Sequence, residues 1–370
     1  MKNTLFLFRF LFGKHPLAIV APYYTVDKMT DGYFRRVKYS DDLLHDRRRV
    51  FLDFEKITQK TKIEKVEDNK IVVTLSQKKI SRVYYSLIVL LLCGEAYCES
   101  IWQVRKIFFK VPFLKVYVDV HGVVPEEEFL YQRYEAAQKY GDIELVAVQK
   151  SEQFFCVTQA MIDHFKKKYG PIAKVKMDVL PIVNEHNIDK AEKNIGEKPI
   201  VVYAGGIFKW QNIEMMQNAM QKQLDSFKYM IYTPTPDEFW TTWGNYPRDN
   251  VTVKSVKPEY LNKTAYPKAI LGFVLRDDIA VNNVACPTKI SEYLRHGIIP
   301  IVFSEKVGDF AKLGMKYIAL DDFINGKIPN KKELEKMREA NFECLRKYDE
   351  LCEKGEQIFE KIMLEGKRCK

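Results

Sequence analysis

Short apolar runs alternate with stretches of helical period along most of the chain. The runs are continuous and rich in valine and isoleucine, a pattern typical of parallel strands that are buried on both faces. They predict strands at Leu17–Ala21, Ile71–Leu75, Val83–Leu90, Val116–Val120, Leu145–Val148, Cys156–Val157, Ile200–Tyr203, Tyr229–Tyr232, Val251–Val253, Ala269–Val274 and Ile299–Phe303. Stretches of helical period lie between them, at Gln159–Tyr169, Ile213–Leu224 and Thr288–Arg295. The alternation predicts an α/β fold.

The same pattern divides the chain. The stretch Glu185–Lys198 is polar and charged, and a strand, a glycine pair and a helix follow it, so we interpret it as a linker. The 370 residues are enough for about two domains of ~150 residues each. The Lys/Glu-rich stretch Asn330–Met363 predicts one amphipathic helix, or two helices broken near Gly355. We predict an N-terminal domain, a C-terminal domain and a helical segment over 1–185, 186–335 and 336–370.

Composition adds a preference for anionic partners. Lys and Arg number 59 and Asp and Glu 49, so the net charge is +10. Such a balance suits nucleic acid, an anionic membrane face or a phosphate-bearing substrate. Hydrophobic residues make up 46% of the chain, which excludes a disordered protein. The seven cysteines are odd in number and irregularly spaced, which predicts a reduced, cytoplasmic protein.

Two apolar runs, Thr4–Phe12 and Leu87–Cys93, are too short to span a membrane, and we expect a buried strand or helix at each. Cations near the first run, Arg9 and Arg47–Arg49, support a weaker hypothesis. The N-terminal half would rest on an anionic lipid surface, where each cation contributes ~1 kcal/mol at best.

The glycine pair Gly205-Gly206 follows a predicted strand and precedes a helix. Glycines at this place let backbone amides approach an anion, and the start of a helix adds positive potential. Lys209 in the same loop adds a charge. The alternative is a tight turn that needs glycine for its backbone conformation.

Arg276 follows the predicted strand Ala269–Val274. Ligands of open parallel sheets bind beyond the carboxyl ends of the strands, so a cation there suits phosphate. A solvated loop, Arg276-Asp277-Asp278, is the alternative and is favoured by this triplet alone.

A further segment begins at Asn282-Asn283 and leads into a helix, with Pro287 at its first position and Thr288 as its cap. Lys289 and Glu292 share a face near that end. Lysine there suits phosphate, and glutamate can accept hydrogen bonds from both ribose hydroxyls of a nucleotide. The alternative is a surface ion pair between the two.

In the N-terminal half, a buried strand ends at Asp119 and leads to His121 and Gly122. Imidazole at the carboxyl end of a strand is well placed to hydrogen-bond a substrate, although a structural histidine is the commoner case. The acidic triplet Glu126–Glu128 predicts a solvated helix start.

Gly32, Tyr33, Arg35 and Arg36 lie after the first strand. Arginines beside aromatic rings can hold an anionic or sugar-containing ligand, so they are candidates for acceptor binding. The alternative is simply a basic loop.

Together these segments resemble retaining glycosyltransferases of the GT-B fold, in the large family-4 group, and within it bacterial enzymes that build capsule, lipopolysaccharide or exopolysaccharide. The resemblance spans roughly Leu17 to Phe303 and rests on four pieces in the family's order: DVHGVVPEE, VTQAMIDHFKKKYG followed by VLPIVN, YAGGIFKWQNIE, and FVLRDDIAVNNVACPTKISEYLRHGIIPIV. It implies two Rossmann-like domains that face each other across a cleft, with the final helix crossing back to the N-terminal domain.

The resemblance also implies roles for single residues. Glu292 matches the glutamate that holds the nucleotide ribose, and His121 the histidine that reaches the donor sugar. Gly205 and Gly206 match the glycine turn near the diphosphate. In this reading Asn283, Pro287 and Thr288 also belong to the donor site, together with Lys209, Arg276 and Lys289.

The chain departs from the family at two positions. Many relatives carry a second glutamate where this chain has Val284, and Asn282 or Asn283 are candidates to replace it. Relatives often have lysine where Gln211 stands, so Lys209, Arg276 or Lys289 would compensate.

We therefore expect metal-independent transfer, with retention, of a sugar from a UDP- or GDP-linked donor. The acceptor would be a lipid-linked or polysaccharide glycan at the cytoplasmic face of a membrane. A GT-B sugar-nucleotide epimerase is the alternative enzyme, but it usually needs several carboxylates and histidines. A basic nucleic-acid-binding protein is the non-enzymatic alternative, and no RRM, KH or zinc-finger signature supports it.

Overall fold

The computed structural model describes residues 2–12, 15–29, 31–107, 113–182, 188, 193 and 197–364. The chain forms two compact units, Met1–Pro181 with Glu353–Lys370, and Ile182–Cys352. Each unit contains a largely or wholly parallel sheet, which confirms the predicted α/β class. Most of the predicted linker Glu185–Lys198 lies outside the described residues.

Unit 1 is built on eight strands. Numbered β1 to β8, they are Leu17–Val20, Arg49–Thr58, Lys62–Glu67, Lys70–Ser76, Glu95–Glu99, Lys115–Val120, Gln153–Cys156 and Lys176–Val179. Its helices α1 to α7 are Lys2–Leu11, Gly32–Leu43, Lys79–Cys93, Ile101–Val104, Val124–Leu130, Tyr134–Lys150 and Gln159–Tyr169. The order in the sheet is β3-β4-β2-β1-β5-β6-β7-β8, and only β3 is antiparallel to its neighbour.

Unit 2 has six parallel strands in the order β11-β10-β9-β12-β13-β14. Numbered β9 to β14, they are Ile200–Ala204, Lys228–Tyr232, Val251–Lys254, Leu271–Val274, Ile299–Val302 and Ile318–Ala319. Helices α8 to α14 are Ile213–Lys222, Pro236–Thr241, Pro258–Tyr260, Ala280–Asn283, Thr288–Arg295, Leu320–Ile324 and Lys331–Met363.

The strand order places a topological switch point in each sheet. The chain leaves β1 to build one side of the first sheet and returns at β5 to build the other, and it does the same between β9 and β12 in the second. At such a point the connections diverge and leave a crevice beyond the carboxyl ends of the two strands. Ligand-binding sites of open parallel sheets lie in crevices of this kind.

The stretch Asn330–Met363 forms one long helix rather than two, α14. The helix continues through Gly355, the predicted break. The glycine serves close packing instead, since a Cβ there would lie 2.6 Å from the carbonyl oxygen of Val179. Beyond it, Phe359 and Met363 are fully buried in the core of unit 1. The last turns of α14 therefore contribute to the hydrophobic core of unit 1.

Two predicted strands are wrong. Val83–Leu90 lies within helix α3 and Leu145–Val148 within helix α6. In α3 the buried positions are Ser86, Val89, Leu90 and Cys93, whose spacing of three or four residues is helical. Val83 and Tyr84 in the same run are exposed, and Leu87 and Ile88 are partly buried, so this side of the helix is apolar as well and the run resembles a buried strand.

The cysteines Cys93, Cys98, Cys156, Cys286, Cys344 and Cys352 are buried, and no disulfide joins them. Cys369 lies outside the described residues. Thiols in these positions fill space in the core as small apolar groups.

Candidate functional site

The switch point of unit 2 brings several predicted residues together. Gly205 follows β9 directly, Arg276 lies two residues beyond β12, and α12 begins nearby at Thr288. The start of α12 differs by one residue from the expectation, since Pro287 takes the N-cap position and Thr288 is the first helical residue.

Lys289 is the central cation of this crevice. It is 9% exposed, its Nζ atom lies 3.8 Å from the ring centroid of Tyr203, and it donates to Oε1 of Gln211 at 3.2 Å. A Cβ on Gly205 would lie 2.9 Å from Nζ, so glycine leaves room for the ammonium group at the end of β9. Burial, together with the charge of Arg276, lowers the pKa of Lys289 well below its ordinary value, although Glu292 opposes the shift.

Arg276 lies close enough to Lys289 for the two charges to repel each other. Burial lowers the pKa of Arg276, and its Nε atom is buried without a hydrogen-bond partner. No ion pair joins Arg276 or Lys289 to a carboxylate in the described ranges. Two neighbouring cations at a switch point that form no ion pair with a described carboxylate make a site that an anion would complete.

Glu292 lies one helical turn beyond Lys289, as its spacing predicts, and is half-buried. Its Oε2 atom accepts a hydrogen bond from the hydroxyl of Tyr266 at 3.2 Å. The ring of Tyr266 packs against Tyr293 and His296. The carboxylate is thus held by a buried tyrosine and does not form the alternative surface ion pair with Lys289.

Other predicted donor-site residues have local roles. Asn282 is fully buried and donates to the carbonyl of Asp277, while Asn283 donates to Asp278 at 2.7 Å. Val284 is buried at 3% exposure, so this position packs in the core and offers no carboxylate. Lys209 is exposed, and Gly206 approaches the ring of Phe208 in the same loop.

In unit 1 the strand β6 ends as predicted with a buried acid. Asp119 is fully buried and receives two hydrogen bonds from the Arg36 guanidinium, at 2.7 and 3.0 Å. Arg36 also donates to the carbonyls of Leu180 and Pro181. Because Arg36 is 1% exposed and engaged in this way, the structure replaces its predicted acceptor-binding role with a structural one.

His121 is half-buried beyond the end of β6, with Nδ1 4.0 Å from Oδ1 of Asp119. Its ring meets that of Tyr33 edge to face at 5.4 Å. The hydroxyl of Tyr33 donates to the carbonyl of Glu99 at 3.3 Å. Of the predicted acceptor residues, Tyr33 therefore contacts His121, whereas Gly32 and Arg35 are exposed at the start of α2.

The alternative of a basic loop at this place does not hold either, because these residues lie in α2. Asp31 is the N-cap of α2 and accepts from the backbone of Tyr33, so the segment is helical from Gly32 onward.

The acidic triplet is less solvated than expected. Glu128 is buried at 5% exposure and paired with Arg133 at 2.8 Å, and Glu126 is paired with Lys168 at 2.7 Å. The Oε1 atom of Glu127 would lie 2.3 Å from a Cβ on Gly122, so glycine admits this carboxylate beside His121. Burial raises the pKa of Glu127, although His121 opposes the shift.

Oxygen and nitrogen atoms of Glu99, Asp119 and His121 lie within 4.8 Å of one another. Such a set resembles a metal site, but the Arg36 guanidinium already neutralises Asp119. A second cation would have to lie beside this one, which is unfavourable in a buried place.

Sequence reasoning missed Tyr203, Tyr266 and Glu99. Each lies in or beside a strand or helix whose apolar character hides its polar atom, and only the packing shows what that atom faces. The glutamate at the end of β5 has one signal in the sequence, a charge that directly follows the short run Ala96-Tyr97-Cys98.

No protein-family model and no curated protein sequence matches the chain. Solved structures do match it. Sucrose-phosphate synthase from Thermosynechococcus elongatus has a TM-score of 0.63 at 12% identity, over 94% of this chain and 99% of that one. Anabaena HepE, in complex with UDP and glucose, has a TM-score of 0.64 at 10% identity, over the same shares of the two chains.

A third similar structure is WaaG, a glycosyltransferase involved in lipopolysaccharide biosynthesis. Its TM-score is 0.59 at 15% identity, and the alignment covers 94% of this chain and 99% of that one. The chain has the GT-B fold. This confirms the fold expected from the four motifs, and both parallel-sheet units belong to it.

No described helix is both long and apolar enough to cross a membrane.

Proposed function

We propose that the protein is a glycosyltransferase that moves a sugar from a nucleotide-diphosphate sugar to an acceptor hydroxyl. The observation that carries the proposal is the pair of neighbouring cations, buried Lys289 and half-buried Arg276, at the switch point of unit 2. Breaking a sugar–phosphate bond places negative charge on the departing diphosphate. Fixed cations in a place of low dielectric stabilise that charge as it develops.

Glu292 gives the site its preference for a nucleotide. Its carboxylate lies on the same helix as Lys289, one turn away, and Tyr266 fixes its orientation. A carboxylate so held can accept from both hydroxyls of a ribose while the cations hold the phosphates. We propose a UDP- or GDP-linked donor, since HepE is similar in structure and was solved with UDP and glucose.

For the transfer itself we propose retention of anomeric configuration without a metal ion. The proposal follows from the resemblance of the sequence motifs to the family-4 group. The leaving phosphate would accept the proton of the acceptor hydroxyl, and His121 would hydrogen-bond the donor sugar. Its neighbours Asp119 and Tyr33 limit the orientations of its ring.

We propose an acceptor that is a glycan, lipid-linked or polysaccharide, at the cytoplasmic face of a membrane in surface polysaccharide biosynthesis. The support comes from two adjacent helices, α1 and α3, joined by a hydrogen bond between Thr4 and Tyr85. Large apolar side chains are exposed on them: Leu5, Phe6, Phe12 just beyond α1, Ile80, Val83, Tyr84 and Leu91. Neither helix contains an acidic residue, and both carry cations.

The basic cluster Arg47–Arg49, predicted to meet lipid, is not the surface concerned. Arg47 is 7% exposed and pairs with Glu95 at 2.5 Å, and Arg49 is 2% exposed and pairs with Asp41. Both are structural ion pairs in unit 1, so neutralising them would unfold the protein rather than release it from lipid. The term apolar face is used below for the exposed apolar side chains of α1, of Phe12 just beyond it and of α3, which are Leu5, Phe6, Phe12, Ile80, Val83, Tyr84 and Leu91.

A screen of nucleotide sugars tests the proposal. UDP or GDP at 100 times its Kd should stabilise the protein by ~2.7 kcal/mol in thermal unfolding, and the matching sugar nucleotide should be hydrolysed slowly. Glu292→Gln should lose most of this stabilisation, with Glu214→Gln on the exposed part of α8 as the control.

Failure of every common UDP-, GDP-, dTDP- and ADP-sugar to bind or react would contradict the proposal. Release of free nucleotide that is much faster with an acceptor than by hydrolysis alone is expected of a transferase. Interconversion of two sugar nucleotides without acceptor would indicate an epimerase instead, and stabilisation by DNA or RNA a nucleic-acid-binding protein.

A further inference from the structure

Glu99 lies at the switch point of unit 1, as the last residue of β5. Its side chain is fully buried, and neither carboxylate oxygen accepts a hydrogen bond from the described part of the chain. An ionised carboxylate in such a place costs several kcal/mol of desolvation, which the charge of Arg36 and the hydroxyl of Ser40 offset only in part. The charge state of Glu99 therefore needs an explanation.

The polar neighbours of Glu99 supply one. Oxygens of Glu99 and Asp119 lie within 4.8 Å of each other, and both residues are fully buried. Among the described residues one cation, Arg36, is equally buried beside them, and both of its hydrogen bonds to a carboxylate go to Asp119. Arg36 and Asp119 thus form a neutral pair, and a second negative charge would remain unpaired.

The ionisation tendencies agree with this geometry. Burial, followed by the charge of Asp119, raises the pKa of Glu99 well above its ordinary value. Burial also opposes ionisation of Asp119, but Arg36 and His121 together outweigh it and lower the pKa of that carboxyl. When two acids share a site with one counter-ion, the acid without it keeps its proton.

The backbone after Glu99 is strained. Ser100 has φ 86°, a left-handed value that is costly for a residue other than glycine, and its amide donates to the carbonyl of Asp119 at 2.9 Å. The strained residue also caps α4, since its hydroxyl accepts from the amide of Trp102. The ends of β5 and β6 are held together at the point where Glu99 and Asp119 meet.

We propose that Glu99 is un-ionised at neutral pH and donates its proton in a hydrogen bond to Asp119, so that it acts as a positioning residue for His121. Asp119 is then fixed on one side by Arg36 and on the other by Glu99, and its Oδ1 atom faces Nδ1 of His121 at 4.0 Å. The carbonyl of Glu99 also holds Tyr33, whose ring packs on the imidazole. Glu127 is the other acid that faces His121.

The charge state is testable without any enzyme assay. The infrared carbonyl stretch of un-ionised carboxyl groups, recorded at neutral pH, should lose intensity in Glu99→Gln relative to the wild-type protein. Glu128→Gln removes a buried carboxylate that is paired with Arg133 and is the matched control, which should leave the band unchanged. Equal spectra for the wild-type protein and Glu99→Gln would overturn the proposal.

The positioning role has its own readouts. An amide at this position is neutral and can still donate to Asp119, so Glu99→Gln should keep the melting temperature and the ring-nitrogen NMR signals of His121. Glu99→Ala removes the donor and should shift those signals. If the proposed glycosyl transfer holds, Glu99→Ala should also lower kcat roughly 10- to 100-fold with KM unchanged, and Glu99→Gln should restore it.

The outcomes separate the two proposals. A protein without transferase activity but with the expected infrared and NMR changes would contradict the proposed function and leave the proposal for Glu99 standing. Unchanged His121 signals in a folded Glu99→Ala variant would overturn the positioning role. Binding of Zn²⁺ that Glu99→Gln abolishes would overturn it as well, because the three groups would then be metal ligands.

Discussion

At the scale of single residues, Lys289 makes the sharpest prediction. Burial and the charge of Arg276 lower the pKa of its ammonium group, which forms no ion pair with a carboxylate of the described residues. A bound diphosphate would favour the charged form again. Nucleotide binding should therefore take up protons, and the affinity should fall as the pH rises. Calorimetry in two buffers of different ionisation enthalpy measures the uptake directly.

Lys289→Met keeps the length of the side chain and removes its charge. A charged hydrogen bond contributes about 1.5–3 kcal/mol, so the variant should bind the nucleotide roughly 10- to 100-fold more weakly and take up fewer protons. Lys228→Met, at the exposed amino end of β10, is the control. Equal affinity and proton uptake in wild type and Lys289→Met would remove this residue from the site.

At the scale of elements, the apolar face of α1 and α3 predicts binding to anionic lipid. Leu5 is 55% exposed and Leu91 60%, and burying such side chains in a bilayer interface stabilises binding. In the double variant Leu5→Ser with Leu91→Ser, the partition coefficient onto phosphatidylglycerol vesicles should fall by a factor of roughly ten or more. Vesicle sedimentation measures the partition.

The control for this prediction replaces an apolar residue that is just as exposed. Ile172, beyond α7, is 50% exposed, and Ile172→Ser should leave vesicle binding unchanged. Uncharged vesicles should bind the wild-type protein less than anionic ones, because the cations of the two helices no longer contribute. Indifference to the double substitution would show that the apolar face meets something other than lipid.

At the scale of the whole molecule, the last turns of α14 belong to the unit formed by the first residues of the chain. Phe359 is fully buried and packs against Phe155 and Tyr97, with ring centroids 4.8 and 5.6 Å apart. Phe359→Ala should lower the free energy of unfolding of unit 1 by about 3–5 kcal/mol. Chemical denaturation checks the value.

An exposed position on the same helix provides the comparison. Lys354→Ala should change the free energy of unfolding little, because that side chain lies at the surface. Nucleotide binding by unit 2 should survive Phe359→Ala as long as unit 1 stays folded. A chain ending at residue 352 that kept unit 1 fully stable would contradict this account of the fold.

Much of unit 2 was predictable because its signals are local. The strands Ile200–Ala204 and Lys228–Tyr232 are short runs of buried apolar residues, and α12 occupies the stretch that its period predicts. In unit 1 the local signal misleads at Val83–Leu90, where an apolar helix exposes one face. It is weak at Arg49–Thr58, a strand whose second half is charged and partly exposed.

The sequence by itself determined the α/β class, the run of motifs and the residue types at the end of each central strand, because these depend on neighbours a few positions apart. Only the tertiary structure decided what each charge does. Arg36 and Arg49 form buried ion pairs, Lys289 and Arg276 form none with a carboxylate of the described residues, and Glu99 lies beside Asp119. Burial and the distances to other charges depend on contacts between residues that are distant in sequence. These two properties distinguish a charge that stabilises the fold from one that is available to bind a ligand.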